Sequence, residues 1–328
     1  MNNVIQRAYE GDQDFLLVRD FLIHTYALYR RPFNWLLDRW NFCRYHVVPL
    51  HTAYSVQYFG VPTGGADPHR DELPLWERTI RIWEDGRGEI VGVVHSENEE
   101  PGEVWIQIHP DFTYLYGEMV TYAEEFLINW VEDLGYVRLY VNERSGLERI
   151  AAARGYQKLE HCRIPQLVYH LDTDAITPAL PRGFKIRSVM EEDNVDQRRK
   201  AKALAFGGHY NPSSWPPASA FREMQQAPDY RKDLDLFIVA PDGEYAAFCT
   251  IWLDVENKYG NFEPVGTHVA YQGRGLGRAL LMEGFRRMSA YGMERSYMDS
   301  AVGFYRRVGF EPLPYNTYPW IKYFRRVR

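Results

Sequence analysis

Apolar positions along this chain follow two rhythms, and the places where one gives way to the other predict its elements. Spacing near 3.6 marks amphipathic helices, and short alternating or continuous apolar runs mark strands. In the second half the pattern predicts a strand over 184–189, a helix over 191–206 and a helix around 218–226. An apolar strand over 234–240 and a partner over 245–252 form a hairpin across Pro241-Asp242-Gly243. A strand over 261–265, a glycine-rich loop at 273–277, a helix over 280–291 and a strand near 296–299 follow. A helix over 301–308 and two last strands near 310–313 and 320–325 end the chain.

The first half repeats that order. A strand over 4–9 leads to helices over 12–29 and 35–45, then a hairpin of 79–84 with 89–95 across Asp85-Gly86-Arg87-Gly88. A strand over 104–109, a helix over 117–134, a strand over 137–141, a helix over 146–154 and a strand over 166–171 complete it. Between the halves, residues 172–183 hold two prolines and a glycine with no periodic apolar face. The expectation is two copies of one α/β unit. Their segments are 1–174 and 184–328, joined by a linker over 175–183.

A length of 328 residues exceeds what one compact core usually supports, which agrees with two units. A formal charge of −6 argues against nucleic acid as partner, because phosphate recognition needs a basic face. Cys43, Cys162 and Cys249 lie far apart and form no metal-binding spacing, so neither disulfides nor a metal site is expected. The amino terminus lacks a signal-peptide pattern and no apolar run reaches the ~20 residues that cross a bilayer. A cytoplasmic protein without a membrane partner is the expectation. Trp35, Trp40 and Tyr45 fall near helical spacing and read as a packing face.

Chemistry is concentrated in the run Val265-Gly-Thr-His-Val-Ala-Tyr-Gln272-Gly-Arg-Gly-Leu-Gly277-Arg. Alternating glycines between a strand and a helix let backbone N–H groups converge on a ligand, and the helix start adds partial positive charge. This combination suits a diphosphate. Arg274 and Arg278 offer further charge to the same anion. A dinucleotide fingerprint would need glycine where Arg278 stands, and no Gly-Lys-Ser/Thr follows as a P-loop demands.

What remains, Gln-x-x-Gly-x-Gly after a strand, resembles the GNAT superfamily of N-acetyltransferases through Gln272, Gly275 and Gly277. A second family signature is matched by Ala301-Val-Gly-Phe-Tyr305-Arg-Arg-Val-Gly309-Phe310. The resemblance covers residues 184–328 and extends to a bacterial subgroup with two such domains in tandem. It implies an α/β (α+β) fold of two GNAT-like domains, each a mixed, mostly antiparallel sheet flanked by helices. It implies acetyl-CoA as co-substrate, held by Gln272, Gly273, Arg274, Gly275, Leu276, Gly277 and Arg278, with backbone groups of Val265 and Thr267 along the pantetheine arm. It further implies transfer of acetyl to an amine acceptor by direct attack. Tyr305 is then the acid for the leaving thiolate, and Glu263 is the candidate base, with His268 competing for that role. Strand alternation is expected to put Glu263 on the face of Val265 and Thr267. Val269 stands where a proline is usual, and the loop before Ala301 lacks the family's Asn-x-x-Ala. A coenzyme-binding or scaffold protein with weak catalysis is the alternative reading.

In the first half, Tyr116 and Glu118 occupy the places of Gly275 and Gly277. A ring blocks backbone approach and a carboxylate repels a diphosphate, so this copy is expected to be degenerate and bind no coenzyme.

Overall fold

The computed structural model describes residues 3–50, 75–97, 102–171, 178–207, 210–300 and 302–326. The first half holds β1 (Ile5–Ala8), α1 (Asp12–Tyr29), α2 (Leu37–Phe42, running on as a π-helical turn over Cys43–Val47), β2 (Arg81–Glu84), β3 (Ile90–His95) and β4 (Glu103–Ile108). After them come α3 (Tyr116–Phe126), β5 (Asn129–Val131), β6 (Leu134–Asn142), α4 (Gly146–Ala153), β7 (Gln157–Lys158) and β8 (Ile164–His170). The second half holds β9 (Lys185–Ser188), α5 (Val195–Phe206), α6 (Ala218–Met224), β10 (Asp235–Val239), β11 (Tyr245–Asp254) and β12 (Tyr259–Thr267). It ends with α7 (Leu276–Ala290), β13 (Arg295–Asp299), α8 (Gly303–Val308) and β14 (Glu311–Arg325).

The helices form where apolar residues return at three and four. In α1, Phe15, Val18, Leu22 and Tyr26 are buried in sequence along one face. In β6, Val137, Leu139 and Val141 alternate inward with half-buried Arg138 and Tyr140. β11 is buried along its full length, as a strand covered on both faces must be. On one side α7 packs against it through Leu280, Leu281 and Phe285, and on the other α5 supplies Ala201 beside Phe248.

The described strands form one continuous sheet in the order β1-β2-β3-β4-β6-β14-β8-β13-β12-β11-β10-β9. The two outer series, β1-β2-β3-β4-β6 and β9-β10-β11-β12-β13, repeat one arrangement, and each carries a single parallel pair, β4 with β6 and β12 with β13. Between them the closing strands change places. β8, from the first half, pairs antiparallel with β13, whereas β14, the last strand, pairs with β6 from Thr317↔Asn142 to Arg325↔Leu134. The division at residues 175–183 therefore stands as a proposal about chain segments, of which 172–177 lie outside the described residues.

Several expected bounds move for local reasons. The helix expected to reach residue 134 ends at Phe126, because Asn129–Val131 folds back on Leu134–Asn142 around Glu132, whose φ is +56°. The two strands expected near 310–313 and 320–325 are one 15-residue strand, broken in register between Pro312 and Asn316. The helix expected from residue 280 starts at Leu276, inside the glycine-rich segment.

Candidate active site

β12 and β13 run together only at Tyr259–Asn261 and Arg295–Tyr297. Beyond these residues no described strand pairs with β12 on that side, and the two strands part to leave a wedge. The orientation of the backbone within it follows from one hydrogen bond. His268 N–H donates to Ala246 O, so that pair is the hydrogen-bonded type, and an antiparallel ladder alternates. Val265 and Thr267, opposite Cys249 and Ala247, then turn their N–H and C=O groups away from β11 toward the open edge.

At the end of this edge lies the glycine loop. Gly273 and Gly275 adopt φ of +75° and +78°, and a Cβ on either would meet nothing within 4 Å. Both features are what a backbone approached by a ligand requires. Gly275 precedes α7, and no side chain caps that helix start, so its first N–H groups point outward. Gly277 is different: a Cβ there would come within 3.2 Å of Phe304 on α8, so it serves helix packing. Leu276 is buried and anchors the loop in the core. Gln272 donates from Nε2 to Thr267 O at 3.2 Å, fastening the loop to the strand.

The two arginines expected to share an anion site are placed differently. Arg278 donates from Nη1 to Arg307 O at 3.0 Å and Val308 O at 3.3 Å, satisfying the exposed carbonyls at the end of α8. Arg274 is exposed, with its guanidinium 5.4 Å from the Tyr271 ring.

Tyr305, on α8, packs edge-on against Phe304 and Phe310. Burial, then the charge of Glu263, pushes its phenol up to about 12, so it stays protonated at neutral pH. His268 is buried and its Nδ1 accepts from Ala270 N–H at 3.0 Å. Burial lowers its pKa, and the ring serves as a local cap rather than a free base.

Glu263 does not share the face of Val265 and Thr267. The register of β12 against β11 shifts by one residue between Cys249 and Ile251, so a bulge opposite them interrupts the alternation. Val265 packs with Phe262 on the α7 side, whereas Glu263 lines a cavity with Asn261. Its carboxylate lies 3.7 Å from Arg39 of α2.

That cavity, of about 400 Å³, sits between the halves. The second half gives it Asn261, Glu263, Tyr297 and Asp299, and the first gives Trp35, Asp38, Arg39, Trp105, Tyr140 and Gln166. Arg39 also pairs with Glu97. Tyr140 Oη donates to Glu103 at 2.5 Å. The sequence reading missed this wall. Trp40 is core, stacked on Phe15, but Trp35 borders the cavity, and Asp38-Arg39 between Trp35 and Trp40 was the signal available. Ala301, at the head of the second motif, lies outside the described residues.

The corresponding loop of the first half is closed. Residues 110–115 form a 3-10 turn that leads straight into α3, and Tyr116 is buried. Glu118 accepts from Trp83 Nε1 at 2.7 Å, and Arg154 donates to Gly117 O at 2.7 Å. Among the described residues no helix is long and apolar enough to cross a membrane.

Residues 204–310 match the sequence model of the Acetyltransferase (GNAT) family. The mycothiol acetyltransferase of Kineococcus radiotolerans is 32% identical over 152 residues, covering 46% of this chain and 48% of that protein. That of Saccharomonospora viridis is 29% identical over 150 residues, covering 41% and 48%. The chain thus spans about half the length of the curated relatives it matches. Among solved structures, a GCN5-related N-acetyltransferase from Sphaerobacter thermophilus superposes with a TM-score of 0.60 at 19% identity, covering 98% of this chain and 96% of that one. A tandem GNAT protein from the clavulanic acid biosynthesis pathway gives 0.59 at 13% identity, with 98% of each chain covered. Residues 204–310 thus carry the sequence signature of the Acetyltransferase (GNAT) family, and the chain along its length is similar in fold to a tandem GNAT protein.

Proposed function

We propose that the protein is an acetyl-CoA-dependent N-acetyltransferase that acetylates an amine by direct attack. The observation that carries this reading is the sequence of features along one open edge: backbone groups of Val265 and Thr267 turned away from β11, then a positive-φ glycine loop on an uncapped helix start. Diphosphate seats at Gly273–Gly277, where the N–H groups and the helix dipole favour an anion. The pantetheine arm runs back along β12 into the wedge, carrying the thioester toward Glu263 and Tyr305.

The acceptor enters from the cavity as an ammonium. Glu263 takes one proton, directly or through water, and the amine nitrogen forms a bond to the thioester carbon. The carbonyl oxygen gains negative charge, which the outward N–H groups of β12 stabilise as oxyanion donors. Collapse breaks the carbon–sulfur bond, and Tyr305 gives its proton to the departing sulfur, so CoA leaves as the thiol. The nitrogen's second proton, lost as the neutral amide forms, passes through water to restore the phenol. The names of the curated relatives support acetyl transfer as the reaction class, and the acceptor of this chain is argued below from its own cavity.

A coenzyme-binding protein without turnover is the second reading, favoured by one observation: Arg39 already faces Glu263 at 3.7 Å. Thiol release over a panel of amines, measured beside coenzyme binding, decides between the two. Binding without turnover on any acceptor rejects the enzyme.

A further inference from the structure

We infer that the cavity between the halves selects an acceptor with two amino groups, the second held as an ammonium near Asp38 and Asp299. This rests on the proposed acetyl transfer only for which amine reacts; the binding claim stands on the cavity itself.

The cavity wall holds three buried oxygens that the protein leaves without donors, beside one unpartnered donor, Trp105 Nε1. Asp38 Oδ1, Asn261 Oδ1 and Gln166 Oε1 are buried and have no hydrogen-bond partner. The three residues are 6–7% exposed, and all line this one cavity. Unpaired buried oxygens are uncommon, because each forfeits its hydration without recompense. Three around one space mark a site that expects N–H donors, and a primary ammonium carries three.

Charge points the same way. Of the carboxylates lining the cavity, Glu97 and Glu263 face Arg39, and Glu103 accepts from Tyr140 with Arg138 at 3.9 Å. Asp38 and Asp299 have no ion-pair partner among the described residues. Asp299 is exposed at the end of β13, where it borders the cavity. Desolvation, then the charge of Asp38, lifts it to about 7, with Arg39 opposing. Burial likewise raises Asp38, with a side-chain hydrogen bond from Asn261 and the charge of Arg39 opposing it. Two carboxylates that destabilise each other when ionised are what a bound cation relieves. Glu263 borders the same space on the coenzyme side, so an acceptor spanning the cavity presents one nitrogen to each end.

The aromatic walls suit the connecting methylenes. Trp105 and Tyr140 stack at 4.2 Å and Trp35 stands edge-on to Trp105. These rings offer an apolar surface, and their faces attract a cation.

The test is calorimetric titration of the full chain loaded with CoA, which blocks turnover. The probes are α,ω-diaminoalkanes of about three to six carbons, each beside the monoamine and the ω-amino acid of the same length. The best diamine is expected to bind at least about tenfold tighter than its monoamine, as a charge-assisted pair implies. In Asp299→Asn and in Asp38→Asn that preference is expected to shrink to about threefold or less. Asp299 is at the surface of the cavity, so its variant keeps the fold if the more buried Asp38→Asn does not; far-ultraviolet circular dichroism monitors both. Equal affinity for diamine and monoamine, no binding of any diamine, or tightest binding of the amino acid through Arg39 each overturns the inference. Tight diamine binding without acetylation in the presence of acetyl-CoA rejects the proposed reaction and leaves this inference standing. Turnover without diamine preference does the reverse.

Discussion

Gly275→Glu separates the coenzyme site from the fold. At φ of +78° any side chain pays a local penalty of about 1–2 kcal/mol. No atom lies within 4 Å of the added Cβ, so no packing loss joins it. The chain should remain folded, with its denaturation midpoint only slightly lowered. The effect on binding is larger. A carboxylate about 4 Å from one phosphate charge, at an effective dielectric near 20, opposes it by about 4 kcal/mol. The loop is exposed, so solvent screens part of this, and a loss of at least roughly 100-fold in affinity is expected. Gly275→Ala carries the same backbone strain without the charge and should lose roughly tenfold or less. Calorimetric titration with acetyl-CoA, beside urea denaturation of all three proteins, measures both halves of the argument. Unchanged affinity in Gly275→Glu refutes the phosphate-loop assignment, and equal losses in the two variants refute its electrostatic basis.

Tyr305→Phe should leave coenzyme affinity intact and lower turnover by roughly 10–100-fold, at or below the lower end of the range for a proton donor, because a phenol near 12 is a weak acid toward a thiolate. Turnover equal to wild type, with chemistry limiting, would make Tyr305 a packing residue. Glu263→Gln should slow acetylation at neutral pH and recover as the pH rises toward the acceptor's own pKa, where the amine arrives deprotonated. A deficit constant with pH assigns Glu263 to its ion pair with Arg39. Saturating titration should give one coenzyme per chain, and none in Gly275→Glu; two would mean the first half also binds. Arg198→Ala strands the carboxylate of Asp235, which it meets at 2.5 Å with both groups buried. It should cost about 3–5 kcal/mol in urea denaturation, and a loss under 1 kcal/mol would contradict that reading.

Local rules carried the sequence reading far. The α1 helix begins and ends where its apolar spacing indicates, and the glycine loop sits where the strand-to-helix transition was expected. What failed was set by contacts distant in sequence. The bulge in β12 depends on its register with β11, so alternation could not assign the face of Glu263. Arg278 could only be seen as a cap once α8 was folded against α7. The exchange of β8 and β14 leaves no trace in periodicity, because each strand has the same pattern whichever neighbour it joins. The cavity was illegible for the same reason: Asp38 and Asp299 are 261 positions apart, and neither carries a motif.

The exchange also bears on why a half with a closed glycine loop would persist. β8 covers the side of β13 away from β12, and β14 covers the open side of β6. Removing either half would expose a strand edge in the other, with its unpaired N–H and C=O groups. The first half is therefore bound into the fold whether or not it holds a ligand. On the proposed reading it needs no diphosphate loop, and Tyr116 with the Glu118–Trp83 contact fills that place away from the β12 edge. Its other face kept a task, since α2 presents Asp38 and Arg39, and β8 presents Gln166, to the cavity that Glu263 borders. On the proposed reading, the second half supplies the coenzyme edge and the reacting groups, and the first half supplies much of the wall that chooses the acceptor. Substitutions at Asp38 should then change which amine is bound while leaving coenzyme affinity as it is, a division that a single GNAT-like unit, with both tasks on one half, would not give.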